Sequence, residues 1–146
     1  VMLYSYNVNQ FSLCFKSVPG SPGYLIWNDT SVQEHPSYFR TVRVLGRHTW
    51  AVSMTHVQVV PRLMEGSVPT DIACAGPEGC GAIVDSGTSL LMMPPTVVSA
   101  LQDALNRMGA TDCSHLQDLP DLVFRLDGHV FSLPPDAYLT EANIDR

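Results

Sequence analysis

Residues 82–89 read Ala82-Ile83-Val84-Asp85-Ser86-Gly87-Thr88-Ser89. Two β-branched apolar residues lead into a carboxylate. A serine, a glycine and two more hydroxyl residues follow it. The apolar run reads as a buried strand, and Gly87 is the residue type that ends a strand in a tight turn. Such a turn presents Asp85 at the strand end among hydroxyls and backbone N–H groups. Hydrogen bonds from those groups favour the charged carboxylate and lower its pKa. A carboxylate held this way can activate water. An Asp-Ser-Gly turn can also simply close a hairpin, which is the reading these three residues alone favour and the longer context reverses.

Upstream lies Cys74-Ala75-Gly76-Pro77-Glu78-Gly79-Cys80. Two glycines and a proline between the cysteines let the pair close a short disulfide, which implies an oxidising compartment. Zinc or free thiols are the rival readings, although C-x5-C lacks the usual tight spacing and no second knuckle follows. Downstream, Pro94-Pro95 and Gly109 bracket a helix over 96–108, with Val97, Val98, Leu101, Ala104, Leu105 and Met108 as its core-facing stripe. Residues 122–126 and 130–133 form a hairpin around Asp127-Gly128, a strong turn dipeptide. Towards the amino terminus, 11–15 and 24–27 alternate as the strands of another hairpin, with a polar loop over 28–36. Residues 38–45 alternate as a further strand. Residues 49–60 form another, with Trp50, Val52 and Met54 on one parity before Val57, Val59 and Val60. Residues 61–73 read as a connection. Many short strands with one amphipathic helix predict a mainly β fold.

The bulk composition agrees. The 146 residues are 45% apolar and only 15% charged, with 11 Pro and 10 Gly, which suits a turn-rich β protein. A net charge of −6 argues against a nucleic-acid partner, which needs clustered Lys and Arg. No apolar run approaches the roughly 18 residues of a membrane span. The sequence starts at Val1 without a signal peptide, which reads as a mature or excised segment. The histidines at 35, 48, 56, 115 and 129 show no metal-ligand spacing and read as surface or turn residues, with His56 partly buried in its strand. No metal or cofactor is expected. Asn28-Asp29-Thr30 is a glycosylation sequon, so Asn28 is a modification candidate.

Taken in order, these pieces resemble one family. Ala82–Leu91 (AIVDSGTSLL) resembles the second active-site loop of pepsin-like aspartic proteases. Cys74–Cys80 is similar to the small disulfide loop before it. Residues 113–124 (CSHLQDLPDLVF), Leu126-Asp127-Gly128 and Leu133-Pro134-Pro135-Asp136-Ala137-Tyr138 are similar to the segments after it. The hairpin of Phe11-Ser12-Leu13 and Gly23-Tyr24-Leu25-Ile26 fits less tightly. Leu25-Ile26-Trp27-Asn28 stands where the family often has an apolar pair followed by Gly-Gly.

The resemblance implies that 1–146 is the larger part of a carboxy-terminal lobe of double-psi β-barrel type, incomplete at its end. It implies an aspartic endopeptidase in which two carboxylates share one proton around a water, as aspartic proteases illustrate. Asp85 would be one carboxylate. Thr88 matches a position whose hydroxyl braces the loop across the lobe interface. Ser86 and Ser89 match positions bonding to the surroundings of Asp85 or to substrate, and Gly87 one where peptide and enzyme backbones come close. Only one D-[ST]-G is present; Asp29-Thr30-Ser31 lacks the glycine. The second carboxylate is therefore expected from a missing amino-terminal lobe, and this segment alone is expected to be inactive. Implied partners are a peptide or protein substrate and that lobe. The implied location is the secretory pathway, secreted or in an acidic lysosome- or vacuole-like compartment. The alternatives are an inactive binding or structural module and a half-size protease working as a homodimer, each copy giving Asp85. The partner of Cys113, including a bond to Cys14, stays open.

Overall fold

The computed structural model describes residues 2–16, 18, 20–62, 68–109 and 115–139, in two compact units, Val1–Thr41 and Val42–Arg146. Cys113 lies outside the described residues, and with it the question of a Cys14–Cys113 bond. Cys14 is exposed and forms no disulfide among the described residues.

The first unit is built on the expected amino-terminal hairpin. One helical turn, α1 (Met2–Ser5), leads to β1 (Phe11–Cys14), which pairs antiparallel with β2 (Tyr24–Trp27) from Phe11↔Trp27 to Cys14↔Tyr24. Phe11 and Trp27 meet edge to face across the pair, ring centres 6.0 Å apart. A two-stranded ribbon cannot cover both its faces, and Leu13, Tyr24, Leu25 and Ile26 remain exposed. The polar stretch 28–36 is not all loop: it contains a helical turn, α2 (Ser31–Glu34). Asp29 Oδ1 starts that turn by accepting the Ser31 N–H at 2.9 Å and the Ser31 hydroxyl at 2.5 Å. Short polar side chains bond to nearby backbone in this way and bend it.

The strand expected over 38–45 does not form. Pro36–Tyr38 is a 3-10 turn, and only a single bridge, Val44↔Val52, appears beyond it. The segment straddles the junction of the two units, so no continuous ladder receives it. Arg40 turns back on its own chain, donating to the carbonyls of Ser37 and Phe39 at 3.1 and 2.9 Å. Period-two alternation describes a surface a strand could use, but it does not supply the neighbour that a strand requires.

In the second unit the spine is β3 (Ala51–Val60), followed by β4 (Thr70–Ala73), β5 (Cys80–Ile83), α3 (Pro95–Arg107), β6 (Asp121–Leu126), β7 (His129–Leu133) and a last turn, α4 (Pro135–Tyr138). The antiparallel sheet runs β4-β3-β6-β7, and β5 also pairs with β3. β5 takes Ala51–Met54 and β4 takes Val57–Val59, while β6 lies along the other edge of β3. Residues 70–73, read as connection, are thus a strand. Seven strands among the described residues make the fold mainly β, as expected.

The parity change in β3 has a direct cause. His56 has φ +51° and lies in the Thr55–Gln58 stretch where the pairing with β6 shifts register, so β3 carries a bulge there. One extra residue moves the inward face from even to odd numbers. Val52 is buried before the bulge, and Val57 and Val59 after it. The imidazole of His56 is half exposed, with Nδ1 3.6 Å from Asp71 Oδ1. Leu119, Leu122 and Ala104 are buried with them, Ala104 coming from α3, and so are Pro120 and Pro135. That helix matches the expected one within a residue, with Pro95 in its first turn and Gly109 at φ +74° beyond its end. Val98 of the expected core stripe is exposed instead. The β6–β7 turn uses Asp127 at φ +47° and Gly128 at φ +84°, the left-handed pair that a two-residue hairpin loop needs. Behind the hairpin, Tyr138 donates its hydroxyl to the Pro120 carbonyl at 2.6 Å. Burial, with the Asp121 charge beside it, pushes that phenol up to about 12. Asp121 itself pairs with Arg62 Nε at 2.7 Å.

Cys74 and Cys80 are disulfide-bonded, closing the loop between β4 and β5. Gly79 in that loop has φ +63°, and an added Cβ would overlap the Met54 carbonyl and the Thr55 side chain. A Cβ on Gly76 meets nothing within 4 Å. Gly79→Ala should therefore lower stability by about 1–3 kcal/mol, the usual cost of a strained backbone position, while Gly76→Ala changes it little. Urea midpoints of the two variants at constant m-value check the contrast.

Candidate active site

The expected site lies where β5 leaves the sheet. The last ladder contact of that edge is the Val84 N–H on the Trp50 carbonyl at 3.0 Å. The chain then turns, and Asp85 follows at once. Its Oδ1 accepts the Gly87 N–H at 2.8 Å, and its Oδ2 accepts the Thr88 hydroxyl at 2.6 Å. Each carboxylate oxygen thus has its own donor from within three residues. The Thr88 hydroxyl, and after it the Gly87 N–H, hold the Asp85 carboxyl below the usual carboxylate range. Both bonds favour the charged form. Gly87 does not adopt a left-handed conformation. Its value here is space, since a Cβ would stand 3.2 Å from Asp85 Oδ1.

The loop is open to solvent. Asp85, Ser86, Gly87, Thr88 and Ser89 are all exposed. Ile83 and Val84 are 64% and 59% exposed, so the apolar run before Asp85 is not the buried strand that its composition suggests. The reason is topological: among the described residues β5 pairs with β3 alone, and its outer edge has no neighbour. Leu90, Leu91 and Met92 extend this exposed apolar surface on the far side of the turn.

The structure thus brings Asp85, Gly87 and Thr88 together. Neither Ser86 nor Ser89 bonds to Asp85 among the described residues. Donation to Asp85 from a loop hydroxyl was expected from the sequence, but it was not assigned to Thr88. Asp29 is also held low, by the Ser12 and Ser31 hydroxyls and then the Ser31 N–H. Its bonds tie the start of α2 to Ser12 of β1. Among the described residues no three of His, Cys, Asp and Glu converge as a metal site. A depression of about 200 Å³ lined by Arg62, Leu116, Gln117, Pro135 and Asp136 contains none of the Asp85 loop.

A mainly β lobe that presents a hydrogen-bonded Asp-Ser-Gly-Thr turn at a strand end defines a pepsin-like class of protein. The sequence model of the eukaryotic aspartyl protease family matches residues 5–145. Pepsin A of Bos taurus is 31% identical over 142 residues, which cover 91% of this chain and 35% of that protein. Gastricsin of Suncus murinus is 44% identical over 72 residues, 45% of this chain and 18% of the relative. A pregnancy-associated glycoprotein of Equus caballus is 36% identical over 96 residues, 62% of this chain and 22% of the relative. The chain belongs to the eukaryotic aspartyl protease family, and it spans about a third or less of the length of these relatives.

Removing the hydroxyl in Thr88→Val should raise the Asp85 pKa toward the ordinary carboxylate value, as read by carboxyl NMR titration. The sign for stability follows. A depressed folded-state pKa adds stability above the unfolded-state pKa, and acid removes it as pH falls through the folded-state value. Parent and Thr88→Val should therefore differ at pH 7 and converge once Asp85 is protonated.

Proposed function

We propose that this chain supplies half of an aspartic endopeptidase site. Asp85 contributes one carboxylate of a water-activating dyad, and the second comes from an amino-terminal lobe outside this sequence. Residues 1–146 are then the larger part of the carboxy-terminal lobe. The observation that carries the reading is the Asp85 carboxylate, exposed at a strand end with one loop donor on each oxygen. Two carboxylates brought together around a water cannot both stay ionised, so one takes the water proton while the other protonates the peptide carbonyl. A group already held low is suited to be the ionised partner. In this reading Ser86, Gly87 and Ser89 face an extended peptide, Ser86 and Ser89 as hydroxyl partners and Gly87 as room for the substrate backbone.

The disulfide fits an oxidising compartment, and dyad chemistry fits an acidic one. We therefore place the protein in the secretory pathway, secreted or in a lysosome- or vacuole-like compartment, with Asn28 as its glycan acceptor. Among the described residues no helix is long and apolar enough to cross a membrane.

One observation favours a second reading. The sequence holds a single D-[ST]-G, and its Asp85 is exposed, so two copies could each supply one carboxylate. Peptide cleavage at about pH 3–6, the range that dyad chemistry favours, separates the cases. The segment alone should be silent, and the complete two-lobed protein should cleave in a statine-sensitive manner. Asp85→Asn in the complete protein should lower kcat/KM by about a thousandfold or more, the loss expected of a proton-transferring group. Retained activity in that variant sinks the reading. Cleavage by the segment alone that rises with the square of its concentration installs the homodimer. Peptide affinity in the complete protein without turnover marks a binding module.

A further inference from the structure

The sequon Asn28-Asp29-Thr30 is the motif that the active site does not use, and in the fold its asparagine is already engaged. Asn28 ends β2 with φ +52°, a left-handed conformation that asparagine enters more readily than most residues. Its N–H donates to the Gln10 carbonyl at 2.8 Å, continuing the hairpin by one residue. Its side chain then grips the segment before β1 with both ends of the carboxamide. Nδ2 donates to the Asn7 carbonyl at 3.0 Å, and Oδ1 accepts the Asn9 N–H at 2.9 Å. The carboxamide thus stands in for a strand neighbour that residues 7–9 lack. Thr30, the other residue the sequon requires, donates its hydroxyl to Glu34 Oε1 at 2.6 Å. The Gln10 amide donates to the Asp29 carbonyl between them. Every part of the motif is tied into the first unit.

Glycan transfer needs the opposite state. Nδ2 must attack the anomeric carbon of an oligosaccharide carried on a lipid diphosphate. A C–N bond forms, the C–O bond to the diphosphate breaks, the lipid diphosphate leaves and Nδ2 gives up one proton. A carboxamide pinned at both ends cannot present Nδ2 to that reaction. We infer that Asn28 is a glycan acceptor only while the chain is unfolded, and that folding of the first unit closes the site. Once clasped, the carboxamide is no longer free to react, so occupancy is set by whether transfer precedes folding. This conclusion stands apart from the peptidase reading.

The test compares two histories of the full chain. In one, the chain is translated behind a signal sequence into microsomes. In the other, it is made without glycosylation, folded with its disulfide formed, and then given purified oligosaccharyltransferase and lipid-linked oligosaccharide. Microsomal translation should add a mass that peptide N-glycosidase removes and that Thr30→Ala prevents. The folded chain should be modified at least about tenfold less, since attack requires local opening. Equal modification of the folded chain overturns the inference, and so does no modification in either arm. Hydrogen exchange at Asn9 reads the clasp directly. Asn28→Gly keeps the backbone conformation and deletes the carboxamide, so Asn9 exchange should quicken roughly five- to tenfold, the worth of one net hydrogen bond. Asn28→Asp retains the Oδ1 acceptor and should leave Asn9 protected. Unchanged Asn9 exchange in Asn28→Gly overturns the clasp.

Discussion

The bond from the His56 N–H to the Cys74 carbonyl, 2.9 Å long, organises the second unit. It sits at the one point where β3 changes partners on a single edge, from β5 at Ala51–Met54 to β4 at Val57–Val59. An unbroken strand could not turn its apolar side chains inward on both sides of that point, because they change parity there. The bulge at His56 resolves the mismatch by one residue. Both residues of the bond are left-handed, His56 at φ +51° and Cys74 at φ +56°. Neither is a glycine, and such backbone persists only where its surroundings over-determine it. Here they do: Cys74 is tied to Cys80 by the disulfide, Cys80 opens β5, and Gly79 sits so near the Met54 carbonyl that a Cβ there would overlap it. The placement of Asp85 depends on this knot, because β5 is only four residues long and the aspartate follows two residues after its end.

The electrostatics of Asp85 are local. The group is exposed, so distant charges are screened within about a Debye length. What remains are two short hydrogen bonds from its own loop. They fix the plane of the carboxylate as well as its charge, since each oxygen is held separately. An aspartate at a free loop tip would keep neither. The donors that orient the carboxylate therefore both come from its own loop. A dyad adds the like charge that forces one proton to be shared. The two requirements are separable, and in the proposed reading this loop would supply the first.

How far the sequence could be read depended on whether a residue's environment was local. Asp127-Gly128 predicts its turn because both left-handed conformations are properties of those two residues. Pro95 and Gly109 mark the ends of α3 for the same reason. The parity break between Met54 and Val57 was visible as a pattern, although the bulge behind it was not. Residues 38–45 show the limit: their alternation is as regular as that of β3, yet the junction between units crosses them and no ladder receives them. Ile83 and Val84 show it again. Their β-branched, apolar chemistry is that of a covered strand, but coverage depends on a neighbour, and β5 has only β3 among the described residues. In the candidate site, Asp85 and Gly87 were legible from the turn chemistry. The bond from Thr88 to the carboxylate was within reach of the same spacing argument, but the resemblance directed attention to a brace between lobes.

The two units reach order by different means. In the second, ten residues of β3 bond along both edges and bury Val52, Val57 and Val59, so the hydrophobic effect supports a ladder that is already cooperative. The first has no buried core residue among those described; its apolar side chains line an uncovered ribbon. Order there rests on side chains that imitate backbone: Asn28 as a strand neighbour for residues 7–9, and Asp29 as the opening carbonyl of a turn. Such bonds are individually worth about 1 kcal/mol net. They are also chemically addressable in a way that a buried valine is not, because the atom that makes the bond is the atom that a modifying enzyme needs. Where polar side chains replace a core, fold and modification draw on the same groups, and in the proposed reading the order of events during synthesis decides whether those groups are free to react.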